Sequence, residues 1–206
     1  MGFCILQVMK NIKILSFLLF SVIACKAQEI VNLNGKTRDY PNGAYFKDLA
    51  KQMDPFVGTW LISTSQETFE IRLVKQEKVC YFEKYYKDVL AGAYRYSDDE
   101  FQINFLPRLQ DISLQGNDHY IAGNFIVSGS SNECPQCDLS DIRFLLNFRD
   151  PTRDYLDSGV YLELIENTNP QQLKVIVKAV GGGMIPNRNS PTENRVPYGE
   201  YILTKQ

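Results

Sequence analysis

The sequence predicts an all-β fold: a single antiparallel up-and-down β-barrel of about 8–10 strands with one short N-terminal helix. Three observations carry this prediction. Apolar and polar residues alternate along most of the chain, turn-rich breaks separate the alternating segments at short spacing, and one segment alone has helical spacing. Short, evenly spaced strands without intervening helices favour a barrel or a sandwich over a parallel α/β fold.

The composition is that of one ordered globular domain. The chain has 206 residues, of which 44% are apolar and 22% charged, with 22 basic and 24 acidic side chains. Residues 1–27 contain three of the basic side chains and no acid, so removing them leaves 19 basic against 24 acidic groups, a net charge of −5. An acidic balance argues against a nucleic-acid partner.

Residues 1–27 are predicted to be a signal peptide. Lys10 and Lys13 precede an uncharged apolar run, 14–24, that is too short to cross a bilayer as a permanent helix. Two cleavage modes remain open. Val22-Ile23-Ala24-Cys25 would give a lipoprotein signal, 1–24, with lipidation at Cys25, whereas a cut after Ala27 would release a soluble protein. We therefore expect export to the periplasm, to the outer membrane as a lipoprotein, or to the extracellular space, with membrane contact only through the anchor.

The segment after the signal is interpreted as an N-terminal linker, 28–41, followed by the barrel domain, 42–206. A short helix is expected between Asn42 and Asp54. Five apolar residues at helical spacing and a stop at Asp54-Pro55 indicate it: Tyr45, Phe46, Leu49, Ala50 and Met53.

About ten segments after this helix have the pattern of half-buried strands. They are 59–63, 69–73, 79–86, 91–96, 101–105, 120–127, 142–148, 160–165, 173–179 and 198–203. A long Gly- and Pro-rich loop, 181–197, separates the last two and is placed to lie across an open barrel mouth.

The start of the first strand carries a family resemblance. The motif Gly58-Thr59-Trp60, just after the expected helix, resembles the opening motif of lipocalins. That resemblance implies a lipocalin-like barrel in which Trp60 closes the base and Lys205, from the final strand, packs over it. The alternative is that Trp60 is an ordinary core residue of a β-sandwich. The whole layout also looks like an uncharacterised family of secreted Bacteroidota proteins.

The Cys-x-x-Cys motif Cys134-Pro135-Gln136-Cys137 is the most specific motif in the sequence. A strand pattern follows it rather than a helix, which argues against a thioredoxin-type thiol. A zinc site would need two more ligands, for which we find only Cys80 and His119, so no metal site is expected. We predict a disulfide between Cys134 and Cys137 that clasps the loop after Val127 and contributes about 2 kcal/mol.

The sequence predicts no catalytic residue and no cofactor. His119 is expected to lie exposed at a hairpin shoulder, and none of the common nucleophile, zinc-protease, phosphate-loop or dinucleotide motifs is present. Two functions stay open. The first is binding of a small hydrophobic ligand inside the barrel, for which Phe101, Phe144 and Phe148 are the candidate lining residues. The alternative is a non-enzymatic envelope adaptor or inhibitor with a solidly packed barrel and an unidentified protein partner.

Overall fold

The computed structural model describes residues 27–181 and 183–206. Cys25 and all but the last residue of the expected signal peptide lie outside the described residues. None of the helices within the described ranges is long and apolar enough to cross a membrane.

The described chain forms an 11-stranded sheet. Its strands are β1 (Ile30–Asn32), β2 (Tyr45–Lys47), β3 (Gly58–Ser63), β4 (Thr68–Tyr81), β5 (Tyr85–Ser97), β6 (Gln102–Asn104), β7 (Ile121–Val127), β8 (Arg143–Phe148), β9 (Ser158–Ile165), β10 (Gln172–Ala179) and β11 (Gly199–Lys205). Four short 3-10 helices accompany them: Thr37–Asp39, Asp54–Phe56, Leu106–Gln110 and Gly116–Asp118.

Eight of these strands close into an antiparallel barrel. β3, β4, β5, β7, β8, β9, β10 and β11 follow one another around it in chain order, and β11 pairs with β3 to complete the ring. The predicted all-β antiparallel barrel is therefore confirmed. Closure leaves none of these eight strands as a free sheet edge along its whole length.

Alternation along the strands builds the barrel interior. On β10, Leu173, Val175 and Val177 are fully buried, while Lys174 and Lys178 lie on the outer face. The same two-residue period points Phe69, Ile71 and Leu73 of β4 inward. These side chains and the buried ones of β10 belong to one hydrophobic cluster. The inward faces therefore supply the core that the sequence pattern predicts.

The predicted helix between Asn42 and Asp54 is wrong. The segment forms β2, which pairs in parallel with β1 and with β5, and a 3-10 helix begins only at Asp54. Phe46 is buried in a small separate cluster instead of on a helical face, and Leu49 stays exposed. Pairing with the free edge of β5 outweighs the helical spacing. β1 also lies within the segment interpreted as a linker.

The predicted strand 79–86 is also wrong, because the chain turns inside it. β4 ends at Tyr81 and β5 begins at Tyr85, and the connecting turn has positive φ at Phe82 and Glu83, 52° and 56°. Turns of this kind usually carry Gly, Asn or Asp, and none is present here. The result is one long hairpin that extends beyond the barrel.

Asp88 ties the β1 and β2 ribbon to this hairpin. Its buried carboxylate accepts hydrogen bonds from the Tyr45 hydroxyl at 2.5 Å, from the Asp48 amide at 2.9 Å and from the Lys78 amide at 3.1 Å. The three donors come from β2, from the residue after it and from an irregular point in β4. A single acid therefore satisfies polar groups of three segments.

The long loop 181–197, of which Gly182 lies outside the described residues, folds back onto its end of the barrel. Val196 is fully buried in the main core cluster. The Arg195 amide donates to Asp150 at 2.7 Å, and its guanidinium carbon lies 5.0 Å from the centre of the Phe101 ring. The loop thus contacts the connections that follow β5 and β8.

Candidate functional site

The candidate ligand-lining phenylalanines do not surround a common space. Phe144 and Phe148 are fully buried, four residues apart on β8. Phe144 meets Phe56 edge to face at 5.0 Å between ring centres, and Phe148 stacks on Tyr94 at 4.6 Å. Phe101 is only half-buried, against Tyr96 at 5.6 Å. Each of the three contacts a different aromatic ring.

Aromatic side chains fill the middle of the barrel as well. The Phe69 ring contacts Tyr201 at 5.0 Å, Tyr96 at 5.9 Å and Tyr94 at 6.5 Å, all edge to face. These separations are those of packed aromatic pairs in protein interiors. These four rings therefore occupy part of the barrel interior.

Gly58, Trp60 and Lys205 meet at one end of the barrel. Trp60 is fully buried and donates from its indole N–H to the Phe56 carbonyl at 2.8 Å. The Lys205 ammonium lies 5.0 Å from the centre of the Trp60 ring and donates to the Pro55 carbonyl at 3.2 Å. Gly58 has φ of +139°, and a Cβ there would come within 3.0 Å of Lys205 Cε. A glycine is thus needed where the lysine crosses the tryptophan.

Replacing Lys205 by glutamine is expected to lower the free energy of unfolding by about 0.5–1 kcal/mol, because the cation over the Trp60 ring is lost. Urea denaturation followed by Trp60 fluorescence measures the change. Lys36→Gln, at an exposed lysine of the N-terminal segment, is the matched control and should change stability less. Equal effects of the two substitutions would show that the contact with Trp60 contributes nothing.

The predicted disulfide between Cys134 and Cys137 is confirmed, with Cα atoms 5.4 Å apart. It lies in the loop 128–142, which joins β7 to β8. The buried Arg143 guanidinium donates to Ser131 Oγ at 3.0 Å and to the Gly129 carbonyl. A second contact, the ion pair of Lys178 with Glu133, joins this loop to β10. The loop is therefore held against the outer wall of the barrel.

A groove of about 940 Å³ runs beside the disulfide, between loop 128–142, the turn after β9 and the residues around Pro55. Glu163 of β9 lies in its wall, with a carboxylate oxygen 4.0 Å from Cys137 Sγ. The two sulfur atoms and a Glu163 oxygen all lie within 4.8 Å of one another. Glu163 could not be identified from the sequence, because only the pairing of β8 with β9 brings it to the cysteines.

The two residues considered as extra zinc ligands, Cys80 and His119, do not belong to the side-chain cluster of Cys134, Cys137 and Glu163. Cys80 is an exposed free thiol near the end of β4. His119 is wrongly predicted as exposed: it is 2% exposed, and its Nε2 lies 3.0 Å from Gln76 Nε2 and 3.3 Å from the Leu114 carbonyl. The loop around Leu114 covers the ring, which the local hairpin pattern did not indicate.

Burial lowers the pKa of His119 below its ordinary value of 6.5. Arg108 acts in the same direction, while Asp118, Asp111 and a backbone contact to Leu114 act in the opposite one. The neutral ring is thus the form that the folded protein favours. Its contribution to stability is complete above the unfolded pKa and is lost as the pH falls through the folded pKa.

We therefore expect the urea midpoint of the wild type to fall, relative to that of His119→Gln, between pH 7 and a pH below the folded pKa. The variant retains the carboxylates that titrate at lower pH, so its curve is the control for their contribution to the wild-type curve. Parallel curves for the two proteins over this range would show that His119 titrates alike in the folded and unfolded chains.

A second cleft, of about 630 Å³, lies at the opposite end of the barrel, between the loop after β8 and the residues before β7. Arg149, which lines this cleft, donates to the backbone carbonyls of Asn117 and His119. The guanidinium therefore holds two protein segments together at this cleft.

The chain belongs to a family of unknown function, DUF6705, whose model matches residues 9–206. The match covers nearly the whole sequence and all of the described barrel. No curated protein and no solved structure gave a significant match. The resemblance to an uncharacterised family is confirmed in this coarse form, while its Bacteroidota and lipocalin-like parts stay predictions.

Proposed function

We propose that this member of a family of unknown function is a non-enzymatic interaction module of the cell envelope. In this proposal the barrel is a solidly packed scaffold, and the segments at its ends bind a protein partner. The observation that carries it is the packing of Phe144 and Phe148 against other aromatic rings, at 5.0 Å and 4.6 Å, instead of around an open space. In this proposal a protein partner binds to the surface of the barrel and not inside it.

Loop 128–142 is the segment that we assign to partner binding. The Cys134 to Cys137 disulfide, the Arg143 guanidinium and the ion pair to Lys178 all restrict it. A restricted loop loses less conformational entropy when a partner binds. Leu139, in the same loop, is 81% exposed and offers the apolar contact that such a surface needs.

Site-specific photo-crosslinking in the native host tests the proposal. A photoreactive residue replaces Leu139 in one strain and Ile112 in another. Ile112 is 97% exposed and lies in a different loop, between β6 and β7, which makes it the matched control. We expect a discrete adduct from position 139 and none from position 112. Absence of an adduct at position 139, together with saturable binding of an environment-sensitive dye to the purified protein, would instead favour a carrier of a small hydrophobic ligand.

A further inference from the structure

We propose that Cys134, Cys137 and Glu163 form a redox-gated binding site for a soft divalent cation, of which Zn²⁺ and Cd²⁺ are the representatives. The site is closed while the two sulfurs are bonded to each other. Reduction of the disulfide opens it, and the two thiolates and the Glu163 carboxylate then bind the ion. This inference rests on the side-chain cluster and not on the proposed function.

The positions of the three side chains suit such an ion. A Cys-x-x-Cys pair is a common half of a tetrahedral zinc site, with metal to sulfur bonds of about 2.3 Å and metal to oxygen bonds of about 2.1 Å. Those bonds place ligand atoms roughly 3.5–3.8 Å apart. Cys137 Sγ and Glu163 Oε1 are 4.0 Å apart, so side-chain rotation alone brings the carboxylate into range.

Charges around the cluster offset the excess negative charge of the loaded site. Two thiolates and one carboxylate around a divalent ion leave one net negative charge. The Lys174 ammonium lies 4.0 Å from Glu163 and 3.3 Å from Glu200, on the outer face of the same sheet. Arg143 is the register partner of Glu163 across β8 and β9, and its Nε is buried without a hydrogen-bond partner among the described residues. Both cations favour an anionic site.

The groove beside the cluster supplies access and the remaining coordination position. Cys134 and Cys137 are 1% and 8% exposed, and both residues line the groove of about 940 Å³ together with Glu163. Three protein ligands with one open position are the arrangement in which a zinc ion also holds water or an external ligand. The metal would therefore be exchangeable.

A dithiol of another molecule can reduce the disulfide and so open the site. The dithiol gives two electrons and two protons, becoming a disulfide, and the bond between Cys134 and Cys137 breaks to give two thiols. Binding of the cation then forms two metal to sulfur bonds and one metal to oxygen bond and releases the two thiol protons.

Cadmium titration of the reduced full chain tests the site. Cys4, Cys25 and Cys80 are replaced by serine, so that only the two loop thiols remain, and a phosphine reductant opens the disulfide. We expect one equivalent of Cd²⁺ to bind, with the ultraviolet charge-transfer band of cadmium thiolates, and no band in the oxidised protein. No band from the reduced protein, or an equal band from the oxidised protein, would overturn the proposal.

Two substitutions distinguish metal coordination by Glu163 from a general effect of negative charge in the groove. Glu163→Gln is expected to weaken Cd²⁺ binding by about tenfold or more, since even indirect contacts to metal ligands change affinity by that factor. Glu166→Gln removes a carboxylate from the same groove and should leave the affinity unchanged. Equal affinities of the two variants would remove Glu163 from the site.

Thermal unfolding of the reduced protein guards against loss of the fold. Binding to the folded state should raise the midpoint of reduced protein as Cd²⁺ is added, whether the chain starts folded or only partly folded. A midpoint that does not respond to Cd²⁺ would contradict the proposal even if thiolates bind the ion.

Discussion

Phe144→Ala is expected to lower the free energy of unfolding by about 3–5 kcal/mol. The ring is fully buried, it packs edge to face on Phe56, and its neighbours on β8 and β9 are held by ladder hydrogen bonds that prevent collapse into the space left behind. Urea denaturation at fixed pH measures the loss. Phe125→Ala, on the adjacent strand β7, removes the same ring from a side chain that is 64% exposed and should cost less than about 0.5 kcal/mol.

The same variant distinguishes a packed core from a binding cavity. A cavity cut into packed apolar side chains stays dry and accepts small apolar molecules, so benzene should stabilise Phe144→Ala and leave the wild type unchanged. A carrier would behave in the opposite way: the wild type would bind an apolar ligand, and Phe144→Ala would stay folded with weakened binding. The second pattern would contradict a solidly packed barrel.

Asp88→Ala is expected to lower the free energy of unfolding by about 3 kcal/mol or more. The substitution leaves the Tyr45 hydroxyl and the amides of Asp48 and Lys78 without the carboxylate that accepts their hydrogen bonds, and contacts to a buried charged acceptor contribute about 1.5–3 kcal/mol each. Urea denaturation measures the cost. Asp39→Ala, at an exposed acid of the N-terminal segment, is the control and should lie within about 0.5 kcal/mol of the wild type.

Hydrogen exchange identifies which strands lose stability in Asp88→Ala. We expect amides of β1 and β2 to lose protection first in Asp88→Ala, because the carboxylate joins this ribbon to the hairpin of β4 and β5. Asp88→Asn keeps an acceptor and should retain part of the protection. Unchanged exchange in β1 and β2 would show that strand pairing alone holds the ribbon.

The barrel could be predicted from the sequence because several of its strands, such as β10, alternate between buried and more exposed residues. Leu173, Val175 and Val177 alternate with lysines over the whole of β10, and a one-residue slip would expose all three. A series of strands with that pattern and no intervening long helix leaves few other arrangements. The helix expected near Tyr45 failed for the opposite reason: its apolar residues obtain their burial from β5, a partner that local spacing does not reveal.

The turn at Phe82 and the position of His119 could not be predicted for related reasons. The turn uses residues that rarely take positive φ, so composition carries no signal for it. His119 is covered by a loop whose path depends on Gln76, on a distant strand. The candidate metal cluster likewise joins a local Cys-x-x-Cys pair, visible in the sequence, to Glu163, which only strand register places beside it.

Native mass spectrometry of the wild-type protein, purified from its own host without detergent, tests the packed barrel most directly. We expect the mass of the polypeptide alone, with no stoichiometric small molecule retained under gentle ionisation. A retained apolar molecule that is lost in Phe144→Ala would contradict it and would assign the barrel interior to ligand binding.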